Sequence, residues 1–455
     1  MENKGGDSMN IKAVLDGATR AQWELYVQHS RRTDRQLRGN KLEATIEEEN
    51  TGYGVRVIVP RSDGAGIGFA SCNSQEDLEP TAKKAHDLAR VNRSQFFELP
   101  TKKRLPSVKT VDKRIMRDQN AAAADYAEEA QGIIADQRGI TLTFGKVRTY
   151  VVDTEIQNSN GLNCSSKGTY IYVEMTLKVQ GQGGPTEFWP ARYARRIDDL
   201  EPTKVIPRWL DMAKSCITRH PPKTKETTVI FAPAIACDVF VPTIGYHASA
   251  QALEQNLSQF KPGLRLASVQ LTVKDDGLYP YGLRTNPFDD EGEPQKRTDV
   301  IEKGVFKGYL NDQLHACTMR RPPTGNGIRP QVFVDVDERF QHPPSNGTTN
   351  LFIQPGHETL EEIIGSVKEG MIIYQGAWIN PDRITTRFGA EIRSAQEIVD
   401  GELGEGIVGG TVSGSALDLI NKITGISDKP EIVSASAFGC VTPYIKFDGV
   451  QISAP

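Results

Sequence analysis

The chain has 455 residues, 38% of them apolar and 25% charged, and a formal net charge of -4. That length exceeds what one hydrophobic core usually serves and predicts two domains. The near-balanced, slightly acidic composition excludes a general electrostatic grip on nucleic acid, which needs clustered and uncompensated Lys and Arg. No apolar run approaches a membrane-spanning helix, so no membrane partner is expected. The polar Met1–Asn10 carries no hydrophobic region of signal-peptide type, and a cytoplasmic location is the expectation. Six dispersed cysteines with no C-x-x-C spacing read as reduced, packed thiols.

In chain order, residues 1–10 read as a disordered N-terminus and Ile11 to Arg20 as a short helix. A strand at Glu24 to His29, a long hairpin through Asp34 to Pro60 and a strand at Gly66 to Ala70 follow from period-two alternation between turn residues. Leu78 to Arg93 and the Ala-rich Asp118 to Asp136 have helical patterning. Lys102-Lys103-Arg104 reads as a solvated loop. Strands return over Ile140 to Gln180, with a turn at Asn158-Ser159-Asn160-Gly161, and a helix is predicted near Pro202 to Arg219. The rigid connector His220 to Lys225 is the best boundary. It gives an N-terminal domain over 11–222 and a C-terminal domain over 223–455. Beyond it lie a buried strand, Thr227 to Ala232, and one helical run from Pro233 toward Gln259. Later helices are expected at Thr359 to Lys368 and Ser413 to Ile423, with a final strand at Thr442 to Asp448. The fold class is α+β, with an α/β sandwich-like N-terminal domain and a β-rich C-terminal domain of packed sheets and helices.

Few motifs carry chemistry. The Gly401–Gly410 stretch has carboxylates where a phosphate loop wants amides and positive charge, and reads as a turn between strands. Ser434 and Ser436 near Cys440 have no adjacent histidine to serve as base. Asp289-Asp290-Glu291-Gly292 places three acids in a row, which raises their pKa values unless a cation or backbone amides sit close. Its plain reading is an exposed loop turned at Gly292, with Arg297 as charge partner; its functional reading is the lining of a cleft.

Phe288 to Gly292, Lys296-Arg297 and Ile301 to Leu310 resemble the signature of the TldD/PmbA family, once called modulators of DNA gyrase. Thr324 to Gly327, Thr349 to Ile353, Glu361 to Ile364 and Gly370-Met371 extend the resemblance, which is strongest from Val229 onward. In the catalytic branch of that family a helix carries His-Glu-x-x-x-His, and a cysteine near the C-terminus completes a zinc site, with the Glu as general base. Here that segment reads Tyr246-His247-Ala248-Ser249-Ala250-Gln251. His247 is its only histidine, Gln251 stands where the second ligand would be, and a one-residue slip does not repair the set. Cys440, nine residues before Gly449, is read as a buried thiol and not as the ligand. No metal site and no catalytic residue are therefore expected in this chain.

The resemblance implies the PmbA/TldE branch: a non-catalytic subunit whose TldD-like partner supplies zinc, in a heterodimeric peptidase acting on short or unfolded peptides. An extended peptide would be held by main-chain hydrogen bonds, with His247, Gln251, Asp289, Asp290, Glu291 and Arg297 as candidate cleft residues. The alternative is a stand-alone homodimer that binds peptide or regulates without hydrolysis. A third reading makes an unrelated enzyme site from Asp289, Asp290, Glu291 and His247.

Overall fold

Period-two alternation in the first long strands decides how the two halves of the molecule meet. A computed structural model describes residues 11–39, 41–92, 96–181, 184–330, 336–377, 379–434 and 439–455. Residues 1–10, expected to be disordered, and Ser436 lie outside the described residues.

The N-terminal half opens with α1 (Ile11–Thr19) and the predicted long hairpin, β1 (Gln22–Arg38) with β2 (Lys41–Arg61), then β3 (Gly64–Cys72) and α2 (Leu78–Val91). After α3 (Lys113–Arg117) and α4 (Gln119–Ala135) comes a second hairpin, β4 (Ile140–Asn158) with β5 (Asn163–Gly181), turning where the Asn/Gly signal lies. Both β6 (Gly184–Phe188) and β7 (Ala191–Ala194) pair with β5, and α5 (Pro202–Ser215) follows. These seven strands form one sheet in the order β3-β2-β1-β4-β5-β6, with β7 also on β5.

Successive strand residues face opposite ways. Trp23, Leu25, Val55 and Val57 pack with Leu78, Ala82, Ala85 and Ala89 of α2, while Val147, Val151, Ile171 and Val173 pack with α4 and α5. The intervening positions turn toward the C-terminal half: Tyr26 packs with Phe288 and Phe340, and Gln28 donates to the Val336 carbonyl at 2.6 Å. One face of the sheet thus carries helices and the other carries the second half of the chain.

The chain enters the C-terminal half at β8 (Arg219–His220) and β9 (Lys225–Phe231), followed by α6 (Pro233–His247) and α7 (Ala250–Glu254). Next come β10 (Val273–Asp276), β11 (Arg297–Glu302), β12 (Val305–Phe306), α8 (Gln313–Met319), β13 (Gly327–Ile328), β14 (Ser345–Asn346) and β15 (Leu351–Ile353). The last part runs through α9 (Leu360–Gly365), β16 (Glu369–Ala377), β17 (Arg387–Val399), β18 (Glu402–Ile407), β19 (Thr411–Ser415) and α10 (Ala416–Leu419). It ends with β20 (Ile423–Ile426), β21 (Glu431–Val433), β22 (Cys440–Thr442) and β23 (Ile445–Ser453). One sheet has the order β16-β9-β23-β19-β17-β18-β8, and a further β16–β17 pairing closes part of it on itself. A second has the order β12-β11-β10-β15-β22-β21.

Two helical expectations need correction. Over Ser413 to Ile423 only Ala416–Leu419 is helical; Thr411–Ser415 pairs with β17 and β23, because β-branched and glycine residues there favour tertiary strand pairing over helix. The run from Pro233 toward Gln259 is two helices. Ala248 and Ser249 interrupt it, and Leu310 pins the break by donating to the Ala248 carbonyl at 2.8 Å and accepting from the Ala250 N–H at 2.9 Å. The first of the two, α6, has apolar residues all round its circumference and twelve of fifteen residues buried, with Asp238 at the cleft as an exception, so it is a core helix.

An alternating row of buried charges joins the halves. Arg56 on β2 donates to Glu24 on β1 and, at 2.7 Å, to Glu291 of the C-terminal half. Glu24 also faces Arg329 at 3.4 Å, and the Arg329 guanidinium lies 4.1 Å from the Tyr26 ring centroid. All four charged side chains are at most 5% exposed. Removing one member leaves its neighbours charged and dry, so Arg56→Met is expected to lower unfolding free energy by about 3–5 kcal/mol, measured by urea denaturation. A loss of under about 1 kcal/mol, as for surface pairs, would contradict this role.

Candidate functional site

The segment Tyr246 to Gln251 lies at the junction of α6 and α7. Ser249 ends one helix and starts the next: its Oγ donates to the Tyr246 carbonyl at 2.6 Å and accepts from the Ala252 N–H at 3.1 Å. His247 and Gln251 therefore do not share a face of one helix. The His247 ring is fully buried, 5.4 Å centroid to centroid from Phe260, and its Nδ1 accepts the Gln259 N–H at 3.2 Å. That bond places the ring proton on Nε2, which has no hydrogen-bond partner among the described residues. Burial lowers the His247 pKa, with the Ile384 carbonyl opposing. Tyr246 points its hydroxyl to Gln255 at 3.2 Å, under the Arg383 guanidinium.

These residues do not fit a zinc ion. One imidazole nitrogen is occupied, Gln251 is a poor ligand on a separate helix, and Cys440 is buried within β22. Among the described residues no group of three His, Cys, Asp or Glu side chains could hold a metal ion.

The acidic loop departs from its plain reading. Asp289, Asp290 and Glu291 are buried, and Arg297 pairs instead with Asp276 at 2.7 Å. The correction has a physical cause: backbone amides and Arg56 solvate the loop from within. Asp289 accepts N–H groups of Glu291, Glu293 and Gly327 at 2.9–3.0 Å, and Asp290 accepts that of Arg329 at 2.7 Å. Glu291 accepts from Arg56 and, at 2.8 Å, from the Gln313 N–H. Even so, burial pushes Asp289 well above its ordinary value, with Glu291 adding to the rise. Burial also moves Glu291 up to about 7, against the pull of Arg56. Lys103, read as solvated, is tied to Glu293 at 2.6 Å.

Gln251 and Glu291 open onto one polar cavity of about 340 Å³, whose wall also includes Arg56, Asp312, His315 and Asn346. His247 makes no hydrogen bond or ion pair with the acidic loop among the described residues, so the third reading of the sequence has no assembled site. Sequence reasoning missed His315. Asp312 caps α8 by accepting the His315 N–H at 2.9 Å and meets the ring Nδ1 at 2.5 Å, while Glu254 lies 3.2 Å from Nε2. The available signal was an Asp three residues before a His at a helix start. Burial alone would lower the His315 pKa, but Asp312, Glu254 and Glu291 together raise it.

The two histidines should titrate on opposite sides of 6.5, the ordinary value. A folded pKa below the unfolded one costs stability as pH falls below 6.5, and His247 belongs to this class. His315 belongs to the other, contributing stability below 6.5 that is lost as pH rises through its folded pKa. Ring-nitrogen NMR at pH 6.5 is expected to show His247 neutral and His315 protonated; the reverse assignment would contradict these environments.

Comparison with known proteins follows the same lines. A family model described as the PmbA/TldA metallopeptidase C-terminal domain matches residues 224–454, and one described as PmbA/TldA metallopeptidase domain 1 matches residues 23–89. A metalloprotease of Methanocaldococcus jannaschii is 25% identical over 407 residues, 85% of this chain and 86% of its own length. A protein of Saccharolobus solfataricus named zinc metalloprotease TldD homolog is 26% identical over 85% of this chain and 87% of its own length. TldE from Thermococcus kodakarensis shares the fold, with a TM-score of 0.85 at 20% identity over 98% of this chain and 99% of that one. The chain is a member of the PmbA/TldD metallopeptidase family.

Proposed function

We propose that this chain is a non-catalytic, TldE-like subunit of a two-chain zinc peptidase that cuts short or unfolded peptides in the cytoplasm. The observation that carries the reading is the closed end of α6. His247 is sealed from solvent with one ring nitrogen engaged, and Gln251 is turned onto a different helix. A hydrolytic zinc site needs several ligands, an open coordination position and a base beside it. In this reading those come from a TldD-like partner with an intact His-Glu-x-x-x-His, and the zinc there would activate the water.

This chain's own residues would shape the chamber wall. Gln251, Asn346 and Arg56 offer hydrogen-bond groups beside Glu291 and His315 around the smaller cavity. A peptide bound as an extended strand gains sequence-tolerant affinity through its main chain, which excludes folded proteins. The six cysteines are all free, in keeping with a reducing compartment.

Co-expression with a TldD-like relative from the same genome is expected to yield a stable complex that cleaves an unfolded polypeptide, while this chain alone does not. Chelator-sensitive cleavage by this chain alone, at a rate comparable to the complex, would contradict the proposal.

A further inference from the structure

A cleft of about 1650 Å³ lies between the N-terminal sheet and the C-terminal half, larger than the range of about 300–1,000 Å³ usual for small-molecule sites. Strand ends form two of its walls. Among the described residues β6 and β7 end the N-terminal sheet, and β21 ends the six-stranded sheet, so each lacks a strand partner on one side.

Side chains from the opposite half bond main-chain groups at Trp189, between β6 and β7, and at Ile432 of β21. Gln375 accepts the Trp189 N–H at 3.5 Å and donates to the Trp189 carbonyl, so its amide stands where the peptide group of another strand would pair. An irregularity of β16 on either side of Gln375 aims it there, since the register shifts between Ile373 and Gln375 and again before Gly376. Across the cleft, Arg192 of β7 donates to the Ile432 carbonyl of β21 at 2.7 Å. Trp189 itself is 55% exposed, a large apolar side chain left in water at the rim.

The charge of the lining runs against that of the chain. Described lining residues include seven Lys and Arg against four Asp and Glu, in a protein of net charge -4. Glu431 serves two guanidiniums at once, Arg192 at 3.1 Å and Arg208 at 2.6 Å. The exposed Lys109 and Lys429 line the cleft and make no ion pair among the described residues.

From these features we propose that the interdomain cleft receives an extended, acidic peptide segment. Its main chain takes the place of the Gln375 amide at Trp189, and its carboxylates meet Lys109, Lys429 and the Arg192–Arg208 pair. This deepens the peptide reading given above and rests on it for the ligand class. Single-stranded nucleic acid would want open aromatic faces for base stacking. Here, among the described lining aromatics, Trp189 alone is largely exposed, and several other faces are taken: Arg196 lies 4.4 Å from the Tyr281 centroid, Arg208 lies 5.6 Å from that of Tyr444, and Tyr172 and Tyr193 pack on each other at 4.5 Å.

The test is fluorescence anisotropy with the full chain and four labelled probes at low salt. These are a peptide of alternating Glu and Val, its Lys counterpart, the acidic peptide with alternate backbone nitrogens methylated, and oligo-dT. The acidic peptide is expected to bind about tenfold more tightly than the Lys counterpart, and Lys109→Glu with Lys429→Glu should weaken it by about tenfold. Backbone methylation should abolish the binding. Equal binding of acidic and basic peptides, indifference to the double variant or to methylation, or preference for oligo-dT would overturn the assignment. A complex that cleaves peptides while its cleft shows no acidic preference overturns this inference and leaves the subunit reading standing.

Discussion

The alternating row Glu291–Arg56–Glu24–Arg329 is the constraint on which the rest of the arrangement depends. It arises because the N-terminal sheet is not apolar on both faces: the positions between its core residues carry Glu24 and Arg56, fully inside the molecule. Such groups are tolerated only when each finds a partner. Their partners come from the other half of the chain, so the halves meet in one register, the one that satisfies every member. Burying these groups costs solvation that hydrophobic residues would not, and the return is a defined placement rather than added stability. Both cavities are lined by residues from the two halves, and their shapes follow from that placement.

Against this scaffold the end of α6 acquires its meaning. A largely buried core helix delivers His247 into a dry environment, and the Ser249 break turns the next residues away. Restoring histidine at position 251 alone would not rebuild the motif, because the two side chains no longer project from one helix. The charged chemistry has gathered instead around His315, where both ring nitrogens face carboxylates. That arrangement stabilises a cation and does not leave a free base for proton abstraction.

Much of the architecture was legible in the sequence. The long hairpins, the helices α1, α2 and α4, and the turn at Asn158 to Gly161 follow from strict periodicity and turn residues, signals that are local. What failed was non-local. Ser413 to Ser415 pairs with distant strands, and no local pattern marks that. The acidic loop looked exposed because three consecutive carboxylates are ordinarily solvated by water; here amides of Gly327 and Arg329, and the Arg56 side chain, replace it. Arg297 sits close in sequence to the loop but belongs to Asp276 across β10–β11. At the site, the absence of a second histidine and of a glutamate from Tyr246 to Gln251 could be read directly, whereas the break between His247 and Gln251 depends on Leu310, about sixty residues on.

The central claim is that this family member has given up its own metal chemistry. Zinc content of the purified, untagged chain, measured by inductively coupled plasma mass spectrometry after dialysis against zinc-containing buffer and then metal-free buffer, tests it most directly. The account predicts zinc far below one ion per chain. Retention of one tightly held zinc per chain would contradict it.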